Sequence, residues 1–443
     1  MPELPERADV VIIGGGIVGL SVAYHLTKRG FSDVVLLERR QLTSGTTWHA
    51  AGLVGQLRAT HNLTRLAQYT AGLYAALEAE TGQATGFQET GSLALATNAE
   101  RFEELRRGAS MARCFGLEVE VVTASEAAAL WPLMDGRDVV GGVFLPKDGR
   151  TNPIDTAQAL AKGARAGGAR IFENVRAAAI LTANGRAKGV RTEHGEIRAD
   201  QVVNAGGMWA RDIGGWTDAT VPLHAAEHFY VVTEPIDALD PHLPVLRDAD
   251  HCAYFKEDAG KLLLGWFEPV AKPWGMSGIP ESFCFETLPE DIDHIAPHLE
   301  AAARRVPLLA DTGIKLFFNG PESFTPDDRY ILGETPEVGG LFVAAGFNSI
   351  GIQSAGGAGK VLADWIVDGH PPMDLWDVDI RRFHPFQRNR RYLHDRTKEA
   401  LGLLYAMHWP FRQPETARGV RRSMLHDRLA ARGACFGERA GFE

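Results

Sequence analysis

Cysteine is scarce in this 443-residue chain: Cys114, Cys252, Cys284 and Cys435 stand far apart, and no two form a Cys-x-x-Cys pair. That spacing argues against a disulfide framework or a zinc site and fits free thiols in a reducing compartment. Long apolar runs are missing too. No stretch reaches about eighteen consecutive apolar residues, so no transmembrane helix is expected. An excess of positive charge is also lacking. The formal net charge is −10, which does not suit a nucleic-acid binder or an anionic membrane surface. The opening MPELPERADVVIIGGG has no basic leader and no uninterrupted apolar run, which argues against secretory or mitochondrial targeting. A soluble cytoplasmic protein is expected. Glycine, by contrast, is abundant, and an apolar content of 45% is near the globular norm. The length calls for about two or three domains around a large core.

The glycines first gather at a strand end. Val10 to Ile13 reads as a buried parallel strand and runs straight into Gly14-Gly15-Gly16-Ile17-Val18-Gly19. Leu20, Ala23, Tyr24 and Leu26 then give a helical pattern that stops at Gly30. A second strand, Val34 to Leu37, ends in Glu38 and Arg39. This order is that of a Rossmann-type dinucleotide cradle. Gly14 allows the tight turn, Gly16 lets a pyrophosphate approach the backbone, and Gly19 lets helix and strand pack closely. The helix N-terminus offers free N–H groups to phosphate, and Glu38 is placed to accept hydrogen bonds from ribose hydroxyls. A lone glycine triplet is a common loop feature; the ordered context is what gives it weight. The cradle alone does not separate FAD from NAD.

Three later segments favour a flavin. Thr43-Ser44-Gly45-Thr46-Thr47-Trp48-His49-Ala50-Ala51-Gly52-Leu53 supplies backbone N–H and hydroxyl donors, although alone it reads better as an ordinary polar loop. Val202-Val203-Asn204-Ala205-Gly206-Gly207-Met208-Trp209 and Leu341-Phe342-Val343-Ala344-Ala345-Gly346 are strands entering glycine turns. The second continues through Phe347, Asn348, Ser349, Ile350, Gly351 and Ile352 into a helix start that can stabilise negative charge on a reduced ring. Each is also a plausible packing turn; together they suit one extended cofactor.

The segments VVIIGGGIVGLSVAYHL, LLER, SGTTWHAAGL, VVNAGGMWA, EHFYVVTEP, PVLRD, FNGPESFTPDDRYILGE and GFNSIGIQSAGGAGKVLADWI resemble the dimethylglycine and sarcosine dehydrogenase or oxidase group of amino-acid-oxidase-like flavoproteins. The resemblance extends over essentially the whole chain. It implies FAD joined covalently through His49, since the His of the WHAAG-type motif carries the 8α-methyl bond in that family. It also implies that His228 (in EHFYVVT) and Tyr254 (in CAYFK) line the amine site and act in catalysis. A hydrogen-bonded strand residue and a core tyrosine are the bland alternatives for these two. Arg329 can reach a substrate carboxylate or pair with Asp327 or Asp328.

The expected fold is α/β. A discontinuous Rossmann-type FAD domain comprises residues 1–84, 150–215 and 330–370, and includes a helix over 155–167 and a strand near Val175. An inserted, mostly antiparallel α+β substrate domain comprises 85–149 and 216–329. Its strands are read at 91–97, 118–122, 227–233, 253–256, 261–267 and 314–319, with Asp258-Ala259-Gly260 as a hairpin turn. Residues 371–443 form an extension. Within it, DIRRFHPFQRNRRYLHDR is basic and reads as a solvated helix or an interdomain contact. Family members with this tail usually continue into a folate-binding, aminomethyltransferase-like domain; the resemblance implies either a truncated fragment or a separate subunit that supplies that half.

The expected activity is oxidative N-demethylation of a small N-methylated amino acid. Hydride passes to flavin N5, and the iminium gives formaldehyde. Oxygen, a quinone or an electron-transfer flavoprotein serves as acceptor. Two rivals remain at this point: an NAD-dependent dehydrogenase using the same cradle, and a flavin-bearing subunit inactive without a folate-domain or electron-transfer partner.

Overall fold

A computed structural model describes residues 3–237 and 239–443. Its first layer is a six-stranded sheet in the order Ile331–Glu334, Leu341–Ala345, Gln201–Asn204, Val10–Ile13, Val34–Leu37, Arg170–Phe172. Only the Ile331–Glu334 edge strand runs antiparallel to its neighbour. Val10–Ile13 and Val34–Leu37 are buried at every position. Such runs suit the middle of a parallel sheet covered on both faces. Helix Ile17–Lys28 connects these two strands and packs against Pro153–Ala166 and Gly351–Asp368. The helix expected at 155–167 begins two residues earlier. Asn152 caps it, accepting from the Ile154 and Asp155 N–H groups, and Pro153 fills its first position. Val175 lies past the end of strand Arg170–Phe172 rather than in it, and its N–H donates to the Glu38 carbonyl at 2.9 Å.

The second layer is a nine-stranded, mostly antiparallel sheet. From one edge run Pro273–Trp274, His224–Thr233, Leu262–Trp266, Ala253–Glu257, Val245–Asp248, Ser92–Ala96, Gly141–Leu145 and Glu120–Val122, while Ile314–Phe324 pairs along the other side of His224–Thr233. The expected hairpin is present: Asp258 and Lys261 exchange backbone hydrogen bonds, and Ala259 and Gly260 have φ of 50° and 78°, as a tight primed turn requires. One strand departs from expectation. Read as ending at Asn319, it continues to Phe324 because pairing with His224–Thr233 overrides the local turn signal of Gly320-Pro321. That continuation carries Glu322 into the cavity described below.

The basic tail segment is part contact and part solvated: Arg382 and Arg396 pack inward, while Arg381, Arg388, Arg390 and Arg391 are exposed. It forms the turns Ile380–Arg382 and Pro385–Arg388 and the helix Arg390–Ala400. Arg396 is 1% exposed, and Arg382 pairs with Asp327 at 2.7 Å. No helix among the described residues is long and apolar enough to cross a membrane.

Candidate active site

At the N-terminal cradle, Gly14 has φ of 116°, and a Cβ there would collide with the Ala205 carbonyl oxygen. A Cβ on Gly19 would strike the Gly14 carbonyl oxygen. Only glycine satisfies both the turn and the close helix–strand approach. Glu38 is buried and holds the loop: its two carboxylate oxygens accept from the Gly15 N–H at 2.8 Å and the Arg40 N–H at 2.9 Å. Burial raises its pKa, opposed by those two N–H groups. Arg39 lies over the Trp209 ring at 3.9 Å, with Gly45 against the same ring and Gly206 packed on Ile213. Val18 packs partly buried on the core. Thr47 joins this end of the site to the next: its hydroxyl accepts from the Ile17 N–H at 3.1 Å and lies against Gly16.

Residues Thr47–His49 form a single 3-10 turn entered through Thr46. It presents Trp48 and His49 against Phe318, at ring separations of 5.5 and 5.1 Å. His49 is 4% exposed, and its buried Nε2 has no hydrogen-bond partner. Burial lowers its pKa to about 4, with nearby Glu322 opposing. The ring is therefore neutral at physiological pH and has an unengaged nitrogen, the state an alkylatable imidazole requires.

His49 opens onto a cavity of about 1080 Å³ between the two sheets. Ala50, Ala51, Gly52 and Leu53 line it on one side, with Ser349, Ile350 and Ile352 at the start of helix Gly351–Asp368. Gly346, Phe347 and Asn348 build that turn from behind. Phe347 stacks on Tyr330 at 4.8 Å. Asn348 accepts from the Thr325 N–H and donates to the Gly346 carbonyl, each at 2.8 Å. The nucleotide-end residues Gly14, Gly16, Gly19, Glu38, Arg39, Val175, Ala205, Gly206 and Trp209 are not among the cavity's walls.

Across the cavity stand His228 and Tyr254, brought together with His49 as expected. His228 Nε2 donates to the Trp266 carbonyl at 2.8 Å, which leaves Nδ1 facing the Ser349 hydroxyl at 3.3 Å and Glu322 Oε1 at 3.5 Å. Burial alone would lower the His228 pKa; the hydrogen bond and charge of Glu322 outweigh it and raise the pKa. The Glu322 pKa is lowered although burial opposes this, because His228, His49 and Ser349 favour its charged form. Tyr254 is 3% exposed, and burial pushes its pKa well above the usual phenol value. Its hydroxyl fills the space left by the missing side chain of Gly265.

The Arg329 guanidinium pairs with Asp377 at 2.7 Å rather than with Asp327 or Asp328, while its backbone N–H donates to Asp327 Oδ1 at 3.3 Å. Sequence reasoning singled out neither Glu322 nor two wall arginines, Arg58 and Arg247. Their signal was a charge placed within an apolar strand or glycine-rich loop, in GPESF, PVLRD and GQLR.

The glycine cradle, which a Cβ would fill, and the orphaned nitrogen of His49 fit a flavin dinucleotide extended from one end of the site to the other. Comparison with known proteins agrees. Residues 9–365 match the model of the FAD dependent oxidoreductase family, and 368–423 that of the FAD dependent oxidoreductase central domain. The chain is 46% identical over 440 residues to 4-methylaminobutanoate oxidase (formaldehyde-forming) of Paenarthrobacter nicotinovorans, covering 99% of this chain and 53% of that protein. Mitochondrial sarcosine dehydrogenase of Mus musculus is 40% identical, with 99% and 48% covered. The mitochondrial pyruvate dehydrogenase phosphatase regulatory subunit of Mus musculus is also 40% identical, with 99% and 50% covered. The chain thus spans about half the length of these relatives. Among solved structures, L-proline dehydrogenase from P. horikoshii superposes with a TM-score of 0.76 at 26% identity, covering 86% of this chain and 98% of that one. The chain belongs to the FAD dependent oxidoreductases.

Proposed function

We propose that this chain oxidatively N-demethylates a small N-methylated amino acid, with FAD joined covalently to His49. The observation that carries the reading is the convergence on one cavity of three groups: the unengaged His49 nitrogen, the Glu322-backed His228, and Tyr254. The name of one relative, 4-methylaminobutanoate oxidase (formaldehyde-forming), describes the same chemistry.

The substrate arrives as an ammonium and must lose that proton before its C–H bond can break. With Nε2 donating to Trp266, His228 Nδ1 is the basic atom that takes the proton, directly or through an ordered water. Glu322 stabilises the imidazolium that results. The Tyr254 hydroxyl positions the amine nitrogen. Bound FAD supplies the hydride acceptor. Gly14, Gly16, Gly19, Glu38 and Arg39, with Val175, Ala205, Gly206 and Trp209, hold its nucleotide half. The stretch from Gly45 to Leu53 and that from Gly346 to Ile352 hold its ring. Water then hydrolyses the substrate iminium to formaldehyde and the demethylated amine.

The proposal assigns residues 1–84, 150–215 and 330–370 to the FAD domain, 85–149 and 216–329 to the substrate domain, and 371–443 to an extension. It places the protein in the cytoplasm and leaves the electrons to oxygen, a quinone or an electron-transfer flavoprotein. A likeness to a regulatory subunit as high as that to sarcosine dehydrogenase supports a second reading, a flavin-bearing subunit or fragment that needs a folate-domain or electron-transfer partner to turn over.

Formaldehyde release separates the two. The first reading predicts one formaldehyde per N-methyl amine consumed by the purified chain with an artificial acceptor. Amine-dependent flavin reduction that appears only after a partner is added supports the second.

A further inference from the structure

The stretch between Trp274 and Ile292 contains no helix and no strand. A structureless connection of that length is uncommon in a compact fold and usually has a task of its own. It leaves the nine-stranded sheet at Pro273–Trp274 and crosses to the dinucleotide layer, where it meets three segments that hold the nucleotide half of FAD in the scheme above. Arg39, just past the second strand, donates to the Glu281 and Phe283 carbonyls. The Phe285 N–H donates to the Ser44 carbonyl at 3.0 Å, and the Phe285 ring lies 5.8 Å from Trp48. Phe283, 2% exposed, packs with Met208, in the turn after Gln201–Asn204, and with Ala225.

This strap has one firm anchor and a weak rim. Phe283 is the anchor, its ring also set 5.3 Å from Trp274. At the rim, Arg176 holds both carboxylate oxygens of Glu281, at 2.6 and 3.2 Å. The two side chains are 51% and 71% exposed, so water and salt weaken the pair. Gly275 and Gly278, where the strap begins, have φ of 73° and 115°, and Phe285 is held at 52°. The glycines turn there without steric cost, and release of Phe285 from the left-handed region offsets part of the cost of lifting the segment. Beneath the strap, Ser44 and Thr47 are buried, and the nucleotide-end residues do not open onto the main cavity.

We infer that residues 275–291 are part of the FAD site and gate it, given the placement of the cofactor's nucleotide half at the glycine cradle. The strap lifts at Gly275 and Gly278 to admit that half. It then closes, with Phe283 seated against Met208 and Glu281 on Arg176, and ties the antiparallel sheet to the loaded dinucleotide layer. Opening precedes both uptake and release, so a looser latch speeds both by enlarging the open fraction. A segment that merely touched bound cofactor would change release alone.

The test uses the full chain carrying His49→Ala, which keeps FAD exchangeable, and follows FAD fluorescence during uptake and displacement. Adding Phe283→Ala is expected to speed both by about 10- to 100-fold. Glu281→Gln speeds both by up to about 5-fold at low salt, and the difference vanishes at high salt. A second measurement needs no change in the strap. Cys284 lies within it, so its alkylation by iodoacetamide, read by peptide mass mapping, is expected to slow when FAD binds, while exposed Cys114 and Cys435 keep their rates. Faster release with unchanged uptake in Phe283→Ala, or Cys284 alkylation indifferent to FAD, overturns the gate. A chain that binds no FAD removes the cradle assignment and the gate with it.

Discussion

Glu322 sits between two histidines with opposite tasks, and a carboxylate in that position tunes both. His49 is held neutral by burial, with a pKa of about 4. His228 is raised above its ordinary value because Glu322 outweighs its burial. Flavin reduction through a neutral His228 rises with pH as that imidazole loses its proton. Glu322→Gln removes the carboxylate's pull, so the rising limb is expected to move to lower pH and the maximal rate to fall by about 10²-fold or more. Stopped-flow reduction across a pH series reads both effects. His49→Ala is expected to release the flavin on acid precipitation, leaving a colourless pellet where the parent gives a yellow one. Retention of colour in that variant removes His49 as the attachment point. At this scale the sequence was partly legible. His49, His228 and Tyr254 stand in recognisable motifs and share one cavity. Glu322, Arg58 and Arg247 did not stand out, because a charge in an apolar strand acquires meaning only when tertiary packing turns it toward a cavity rather than solvent.

Elements read from local pattern held where neighbours reinforced the pattern. In the strand–glycine turn–helix–strand unit from Val10 to Leu37, both strands are buried at every position and pair in register. Both propensity and tertiary contacts therefore specify it. Gly14→Ala places a Cβ where φ is 116° and the Ala205 carbonyl stands in the way. A stability loss of at least about 1–3 kcal/mol and loss of FAD are expected, read by thermal melting and by absorbance. Strand Ile314–Phe324 shows where pattern failed: Gly320 and Pro321 signal a turn, yet ten residues of the adjoining strand pair with it.

Helix Ile17–Lys28 carries a separate pH test. His25 within it bonds the Ser21 carbonyl at 2.7 Å and Tyr69 at 2.9 Å. Burial, the largest influence, lowers its pKa to about 4. Between that value and the ordinary 6.5, the unfolded chain binds the extra proton, so stability rises with pH. Moving from pH 7 to pH 5 is expected to cost about 2 kcal/mol through this residue. Urea unfolding at both pH values checks it: His25→Gln should flatten the difference, and an unchanged slope contradicts the assignment.

Two sheets frame the cavity onto which His49 opens, and the proposed reaction belongs at that boundary. The α/β class and the two-layer plan could be read in advance, because alternating strand and helix patterns differ visibly from runs of short strands. The fate of the tail could be read only as two open alternatives, a solvated helix or an interdomain contact. The basic stretch packs inward in part, through Arg382–Asp327 and buried Arg396, contacts between residues distant in sequence that no local pattern encodes. The chain's match to about half the length of its relatives makes self-sufficiency the central question at the scale of the molecule.

The most direct test is the visible spectrum of the purified, flavin-loaded chain, followed anaerobically while 4-methylaminobutanoate and then sarcosine are added. The account predicts a yellow protein whose flavin band bleaches on addition of the N-methylamino acid, without any partner. A yellow protein that no N-methyl amine bleaches contradicts the proposed reaction, and a chain that takes up no flavin contradicts the site itself.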